Sequence, residues 1–197
     1  MEIVLASHLN KENTRLQISK IFVEGFYEWI KFFSKDKDTL EKAFSHMFNL
    51  DLFYVAVING EIAGFVSIRD KNSNNIILNK KELQKNLGLF MGYFAYKVLR
   101  KEFEYKKYPF TVTNEMLPIE FVATSTKYQR CEVASKIIKY IFKNNSNKSL
   151  ILEVADTNLK AVALYKKLGF REIKRIKMKD SKRSGVNNLI YMEYLNT

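Results

Sequence analysis

L-I-L-E-V-A-D-T-N-L-K-A-V-A-L-Y-K-K-L-G-F, Leu150 to Phe170, is the stretch whose reading decides the fold. Ser149 to Val154 is a short, largely apolar run of the kind that forms a buried strand. Asp156, Thr157 and Asn158 then offer side-chain oxygens able to cap a helix N-terminus. Ala161, Leu164, Tyr165 and Leu168 recur at helical spacing and share one face. Gly169 stands where a helix ends in a left-handed residue, with Phe170 placed to fold back on the last turn. A strand, a capped helix and an abrupt stop make half of an α/β unit.

The same residues carry a resemblance. Leu152-Glu153-Val154, Asn158, Ala161, Leu164-Tyr165 and Leu168-Gly169-Phe170 resemble the last motif of the GNAT superfamily, the Gcn5-related N-acetyltransferases. The resemblance implies an α/β (α+β) fold whose central mixed, mostly antiparallel sheet is flanked by helices. It also implies that Asn158, Ala161 and Tyr165 face acetyl-CoA, and that Tyr165 protonates the departing thiolate. Alone, Tyr165 reads as one more core aromatic; beside Asn158 and the Gly-Phe stop it reads as functional.

Composition sets the outer bounds. A chain of 197 residues with 47% hydrophobic residues, 7 Gly and 2 Pro is expected to fold as a single domain over 1–197. One cysteine excludes a disulfide framework, and with two histidines it leaves no zinc site. Met1–Asn10 lacks a secretory signal, and no apolar run reaches the roughly 20 residues of a membrane span. A cytoplasmic location follows as the expectation. The net charge of +12 fits nucleic acid, a membrane surface or a phosphorylated small molecule, and equally fits solubility alone.

Upstream, Met1–Ala6 reads as a first strand. Ile18, Phe22, Trp29 and Phe33 mark one face of a helix from about Thr14 to Phe33, bent or closely packed at Gly25. Asp38 and Glu41 form a capping-box-like start to a second helix through Phe48. Family members use two helices here as one wall of the acceptor pocket; plain core cover fits these aromatics equally. Leu52–Ile58 and Glu61–Arg69 flank Asn59-Gly60, a hairpin signal. Asn72 to Asn75 reads as a polar loop. Asn79 then caps one long helix, periodic from Leu83 through Phe103 and ended by Tyr108-Pro109, which looks like an insertion relative to the smallest family members. Leu89, Tyr93 and Tyr96 widen its apolar face, for a cleft, a dimer surface or ordinary packing. Leu117–Thr124 is the next strand, followed by a helix through Ala134, Ile137, Ile138, Ile141 and Phe142. Arg171–Lys179 and Asn188–Tyr194 close the chain as strands around a basic loop at Asp180–Val186.

Amide formation from a thioester needs a free amine, a donor for the oxyanion, a proton for the thiolate and a fixed cofactor. The family resemblance, which spans Phe53 to Tyr194, distributes these tasks. It places the oxyanion donor and the pantetheine contacts on the backbone of Phe121, Val122, Ala123 and Thr124, where the next strand splays away. It offers Glu120 as the base that frees the amine; the other reading puts Glu120 on the exposed face of an alternating strand. It places the pyrophosphate on a turn of the form Q/R-x-x-G-x-G/A, here Gln129-Arg130-Cys131-Glu132-Val133-Ala134, with Ser135 next. Glu132 replaces a glycine of that turn and brings negative charge toward two phosphates, with Lys127 and Arg130 near enough in sequence to offset it. Cys131, His8 and His46 read as ordinary residues.

The expectation is therefore an N-acetyltransferase, monomeric or homodimeric, that uses acetyl-CoA and no metal to acetylate an amine by direct attack. The alternatives are a weak or inactive member that binds CoA without turnover and a basic protein that binds an anionic partner. Nucleic acid is disfavoured, since no recognised binding motif accompanies the charge.

Overall fold

The computed structural model describes residues 1–69, 73–179, 181 and 185–195. Parts of the loops expected at 72–75 and 180–186 lie outside the described residues. Seven strands form one sheet: β1 (Glu2–Leu5), β2 (Phe53–Ile58), β3 (Glu61–Ile68), β4 (Met116–Thr124), β5 (Ser149–Ala155), β6 (Arg171–Lys177) and β7 (Asn188–Tyr194). Their order is β1-β2-β3-β4-β5-β7-β6, and only the central β4–β5 pair is parallel. A parallel pair needs a crossover, and α5 (Val133–Asn144) supplies it. The remaining helices are α1 (Lys11–Ile30), α2 (Lys37–Phe44), α3 (Lys80–Leu87), α4 (Leu89–Leu99) and α6 (Leu159–Leu168).

The helices divide between the two faces of the sheet. Phe22, Leu40, Phe44 and Leu83 from α1, α2 and α3 bury against Phe53 and Phe65 on one face. Ile137, Ile141 and Tyr165 from α5 and α6 bury against Val66, Leu152 and Met192 on the other. β2, β3 and β4 thus contribute residues to both cores, as the period of a strand allows. Asn59 and Gly60 both take positive φ, 52° and 79°, as a tight two-residue hairpin between β2 and β3 requires. Among the described residues no helix is long and apolar enough to cross a membrane.

Three local expectations need correction. The cap of α2 is Asp36, whose carboxylate accepts from the backbone N–H of Asp38 and Thr39, so the helix starts before the capping box at Asp38. Asn10 caps α1, four residues ahead of the expected start. The helix expected to run from Asn79 to Tyr108 is two. Asn79 does cap α3, but Gly88 at φ 81° turns the chain back, and α4 packs on α3 before a π-helical turn at Arg100–Glu104. Gly92 makes that return possible, since a Cβ there would stand 2.4 Å from Cα of Gln84. Leu89 stays 71% exposed, and the Tyr93 ring lies under the ammonium groups of Lys80 and Lys97, so neither serves ordinary core packing.

Gly92→Ala should therefore lower unfolding stability by about 2–3 kcal/mol through overpacking between α3 and α4. Urea denaturation of the purified variant measures it, and wild-type stability would mean that the two helices do not touch.

Candidate active site

The site begins where a ladder ends. Met116, Leu117, Pro118 and Ile119 pair in parallel with Ser149 to Leu152, and the register stops there. Beyond it β4 continues along β3 as far as Thr124, while β5 continues along β7 as far as Ala155. The two central neighbours separate, and the β5-facing backbone groups of Val122 and Thr124, on either side of Ala123, have no strand partner. A bulge drives the separation: Ile68 lies opposite Ile119 but Val66 opposite Val122, so the extra residue falls at Glu120–Phe121. There the N–H of Phe121 donates to Oγ of Ser67, at 3.1 Å.

A cleft of about 1680 Å³ opens at this divergence. Glu120 through Thr124 line it, as do Gln129, Arg130, Glu132, Val133, Ala134, Ser135, Asn158, Ala161 and Tyr165. Every site residue inferred from the sequence thus meets in one cavity except Cys131, which is exposed outside the lining. Its other wall comes from the end of α1 and from Val98–Lys107 around the π turn. No α2 residue reaches the cleft, so the second helix of the expected acceptor wall is replaced by α4 and its π turn.

Tyr165 is held on α6 by local geometry. The side chain of Asn158 accepts from the N–H of Ala161 and starts the helix, and Gly169 at φ 100° stops it. The N–H of Phe170 then bonds the Tyr165 carbonyl, and the two rings lie 5.8 Å apart. Tyr165 is 6% exposed, and burial pushes its phenol above the ordinary tyrosine range. Among the described residues nothing hydrogen-bonds the Tyr165 hydroxyl, so the proton stays on the oxygen and is free to be donated.

Glu120 is not on an exposed face, because β4 is covered on both of its faces and the residue on the face opposite Ile119 points toward the other core rather than into water. Its side chain is only 3% exposed and its carboxylate receives the Arg69 guanidinium (3.1 Å), the Asn75 amide (2.9 Å) and the Tyr108 hydroxyl (3.1 Å). Burial and then the Glu120 charge push the Tyr108 phenol far up. A second carboxylate in the cleft escaped the sequence reading: Glu153 on β5 accepts from Tyr191 at 2.5 Å and faces Lys106 at 3.4 Å. Its sole sequence signal is one acid within an apolar strand. Burial, ahead of the Glu153 contact, raises the Tyr191 phenol as well.

The turn before α5 adopts a glycine-like backbone without glycine. Arg130 and Glu132 take φ of 64° and 57°, and Glu132 occupies the cap position with no side-chain cap on the helix. Asn10, Asp36, Asn79 and Asn158 cap α1, α2, α3 and α6, whereas α4, which follows Gly88, and α5 start without a side-chain cap; of these two only the start of α5 lines the cleft. Arg130, Lys139, Lys160 and Lys167 line this end of the cleft. Lys127 does not help offset Glu132, because its ammonium is bound to Glu61 at 2.5 Å. Among the described residues no cluster of three His, Cys, Asp or Glu side chains is placed to hold a metal ion.

A slot between diverging parallel strands, a helix start beside it and a buried phenol thus line one cleft. The acetyltransferase (GNAT) family model matches residues 16–170, and the chain belongs to that family. No curated protein matches it in sequence. Among solved structures it is similar to an N-acetyltransferase from Staphylococcus aureus Mu50, at 19% identity over 98% of this chain and 100% of that one, with a TM-score of 0.63. A ribosomal-protein-alanine N-acetyltransferase from Brucella melitensis is 14% identical over 99% of both chains, TM-score 0.59. An aminoglycoside 6'-N-acetyltransferase complexed with coenzyme A is 12% identical over 100% and 98%, TM-score 0.58. At such identities these likenesses speak for the fold.

Tyr108, Tyr165 and Tyr191 have folded pKa values above that of an unfolded tyrosine, about 10. Their protonated forms are favoured in the fold, so stability is intact below that pH and falls as pH rises past it, by up to about 1.4 kcal/mol per pH unit per phenol. Urea midpoints between pH 9 and 11 should fall less steeply for Tyr165→Phe than for wild type; equal slopes would show that this phenol is not desolvated.

Proposed function

We propose that residues 1–197 act as one N-acetyltransferase unit that moves the acetyl group of acetyl-CoA to an amine by direct attack in a ternary complex. The end of β4–β5 pairing at Ile119 and Leu152, with Tyr165 facing the gap, is the observation that carries this reading. Pantetheine amides would bond the unpaired backbone groups of Val122 and Thr124, and one of their N–H groups would meet the developing oxyanion. The pyrophosphate would lie at the uncapped start of α5, against Val133, Ala134 and Ser135 and within the field of Arg130 and Lys139.

Tyr165 then acts as general acid on the departing thiolate, since its desolvated phenol keeps its proton at neutral pH. Glu120 was the sequence's choice of base. Its three hydrogen-bonding partners leave little lone-pair capacity for an ammonium proton. Glu153 has the more open side chain, 21% exposed against 3%, and is the better-placed proton acceptor, with Glu120 fixing the cleft floor. One observation favours the rival reading of a CoA-binding protein without turnover: Glu132 puts a carboxylate at the phosphate end.

Steady-state kinetics test the assignment. Tyr165→Phe should lower kcat roughly 100-fold while calorimetric acetyl-CoA affinity stays as in wild type. Glu153→Gln should lose activity at neutral pH and regain it as pH approaches the amine's own pKa, about 10.4 for a lysine-like amine. Wild-type rates in both variants would remove the mechanism. Separately, Glu132→Gly should tighten acetyl-CoA binding about fivefold, the equivalent of about 1 kcal/mol of charge repulsion. Unchanged affinity would clear Glu132 of any effect on the phosphates.

A further inference from the structure

The two ends of the cleft differ in chemistry. The end beside α5 and α6 is lined by cations; the other end is aromatic. Phe26 and Phe103 both stand nearly perpendicular to Phe121, at 5.8 and 5.1 Å between ring centroids, so three rings flank the strand position next to Glu120. Further out, Trp29 and Tyr105 line the mouth and remain 58% and 57% exposed. The Trp29 ring, left more than half in water one helical turn from Phe26, supplies apolar contact area that the fold itself does not use.

The charges at this mouth have one dominant sign. Lys101, Lys106 and Lys107 line it, against Glu102. Lys106 faces Glu153, whereas among the described residues neither Lys101 nor Lys107 has a carboxylate partner. The two deeper acids are engaged: Glu120 by Arg69, and Glu153 by Lys106 and Tyr191. A second or third positive charge on an acceptor would therefore meet Lys101 and Lys107 with Glu102, among the described residues, as the one acid of the mouth not held by a cation, so the net field there is positive and selects against such molecules.

We propose that the acceptor is a primary monoamine carried on an aromatic or bulky apolar body, and that polycationic amines are excluded. This rests on the acetyl-transfer reading and names its substrate class. The body lies along Trp29, Phe26 and Phe103, and the amine points past Phe121 to the gap between β4 and β5. There the ammonium first gives a proton to the Glu153 carboxylate, and the free amine nitrogen then forms its bond to the acetyl carbon. The carbon–sulfur bond of the thioester breaks, Tyr165 gives the thiolate its proton, and the proton the nitrogen sheds on becoming an amide restores the phenol.

Trp29 is the only tryptophan of the chain, so its emission reports directly on this end of the cleft. With the protein saturated in CoA, 2-phenylethylamine should shift Trp29 emission to the blue in a saturable way, while spermidine and kanamycin should not. Initial rates of CoA release should give a kcat/KM at least tenfold higher for 2-phenylethylamine than for either polycation, within the range one apolar contact set can discriminate, about 10–200-fold. Trp29→Ala should raise KM for the aromatic amine about tenfold, Trp29→Phe should restore most of it, and acetyl-CoA affinity should move in neither. A blue shift with spermidine alone, no shift with any amine, or a higher kcat/KM for a polycation would overturn the proposal. Calorimetry separates the two failures: if acetyl-CoA binds while the amine preference is reversed, only the substrate class falls, and if acetyl-CoA does not bind, the acetyl-transfer reading falls with it.

Discussion

β4 cannot satisfy both of its neighbours along its whole length, and the site exists because of that conflict. It stays registered with β3 from Ile119 to Thr124 but with β5 only as far as Ile119. At the bulge, the N–H of Phe121 turns from the ladder to Oγ of Ser67, which also accepts from the amide of Asn75, itself 1% exposed. That exchange keeps a buried donor satisfied, so the bulge is held by specific bonds rather than tolerated as a defect. An unbulged β4 would keep its twist closer to that of β5 and close the slot.

The same bulge sorts the cleft into chemically different ends. By adding one residue it turns Glu120 and Phe121 toward the same side, among residues from α1 and the π turn. Val122 faces the opposite core with α5 and α6. The aromatic end and the cationic end are therefore the two faces of one strand, joined across the gap that β5 leaves. A cofactor with several phosphates and an acceptor with an apolar body can then occupy one cavity without competing for the same side chains.

How much of this was legible in the sequence follows from the distance over which each feature is decided. The Asn59-Gly60 hairpin, the Asn158 cap and the Gly169 stop depend on residues within one turn, and the coordinates keep them. The break at Gly88 was hidden because apolar residues kept helical spacing straight through it; only the left-handed φ reveals the turn. Asp36 and Asp38 offer the same capping oxygen two residues apart, and the following packing chooses between them. Glu120 was least legible. Its partners Arg69 and Asn75 lie 51 and 45 residues away, and alternation places it outward only if one face of β4 meets water, whereas both are covered.

Arg69 carries the argument one step further. Its guanidinium bonds Glu120 on the floor of the cleft and also donates to the carbonyls of Phe103 and Glu104 in the π turn that forms the wall. Those carbonyls are available because they belong to the last turn of the helix, which closes with Tyr105 bonding back to Arg100, five residues earlier. Glu104 then fixes the turn from outside, bonding Arg100 and the N–H of Leu78. Floor and wall are thus tied through one planar, always charged group that is itself largely buried. The Phe103 side of the aromatic end is thus joined to the strand gap by specific bonds. On the proposed reading, an acceptor that lies there meets a wall already held in place, so binding would cost little reordering.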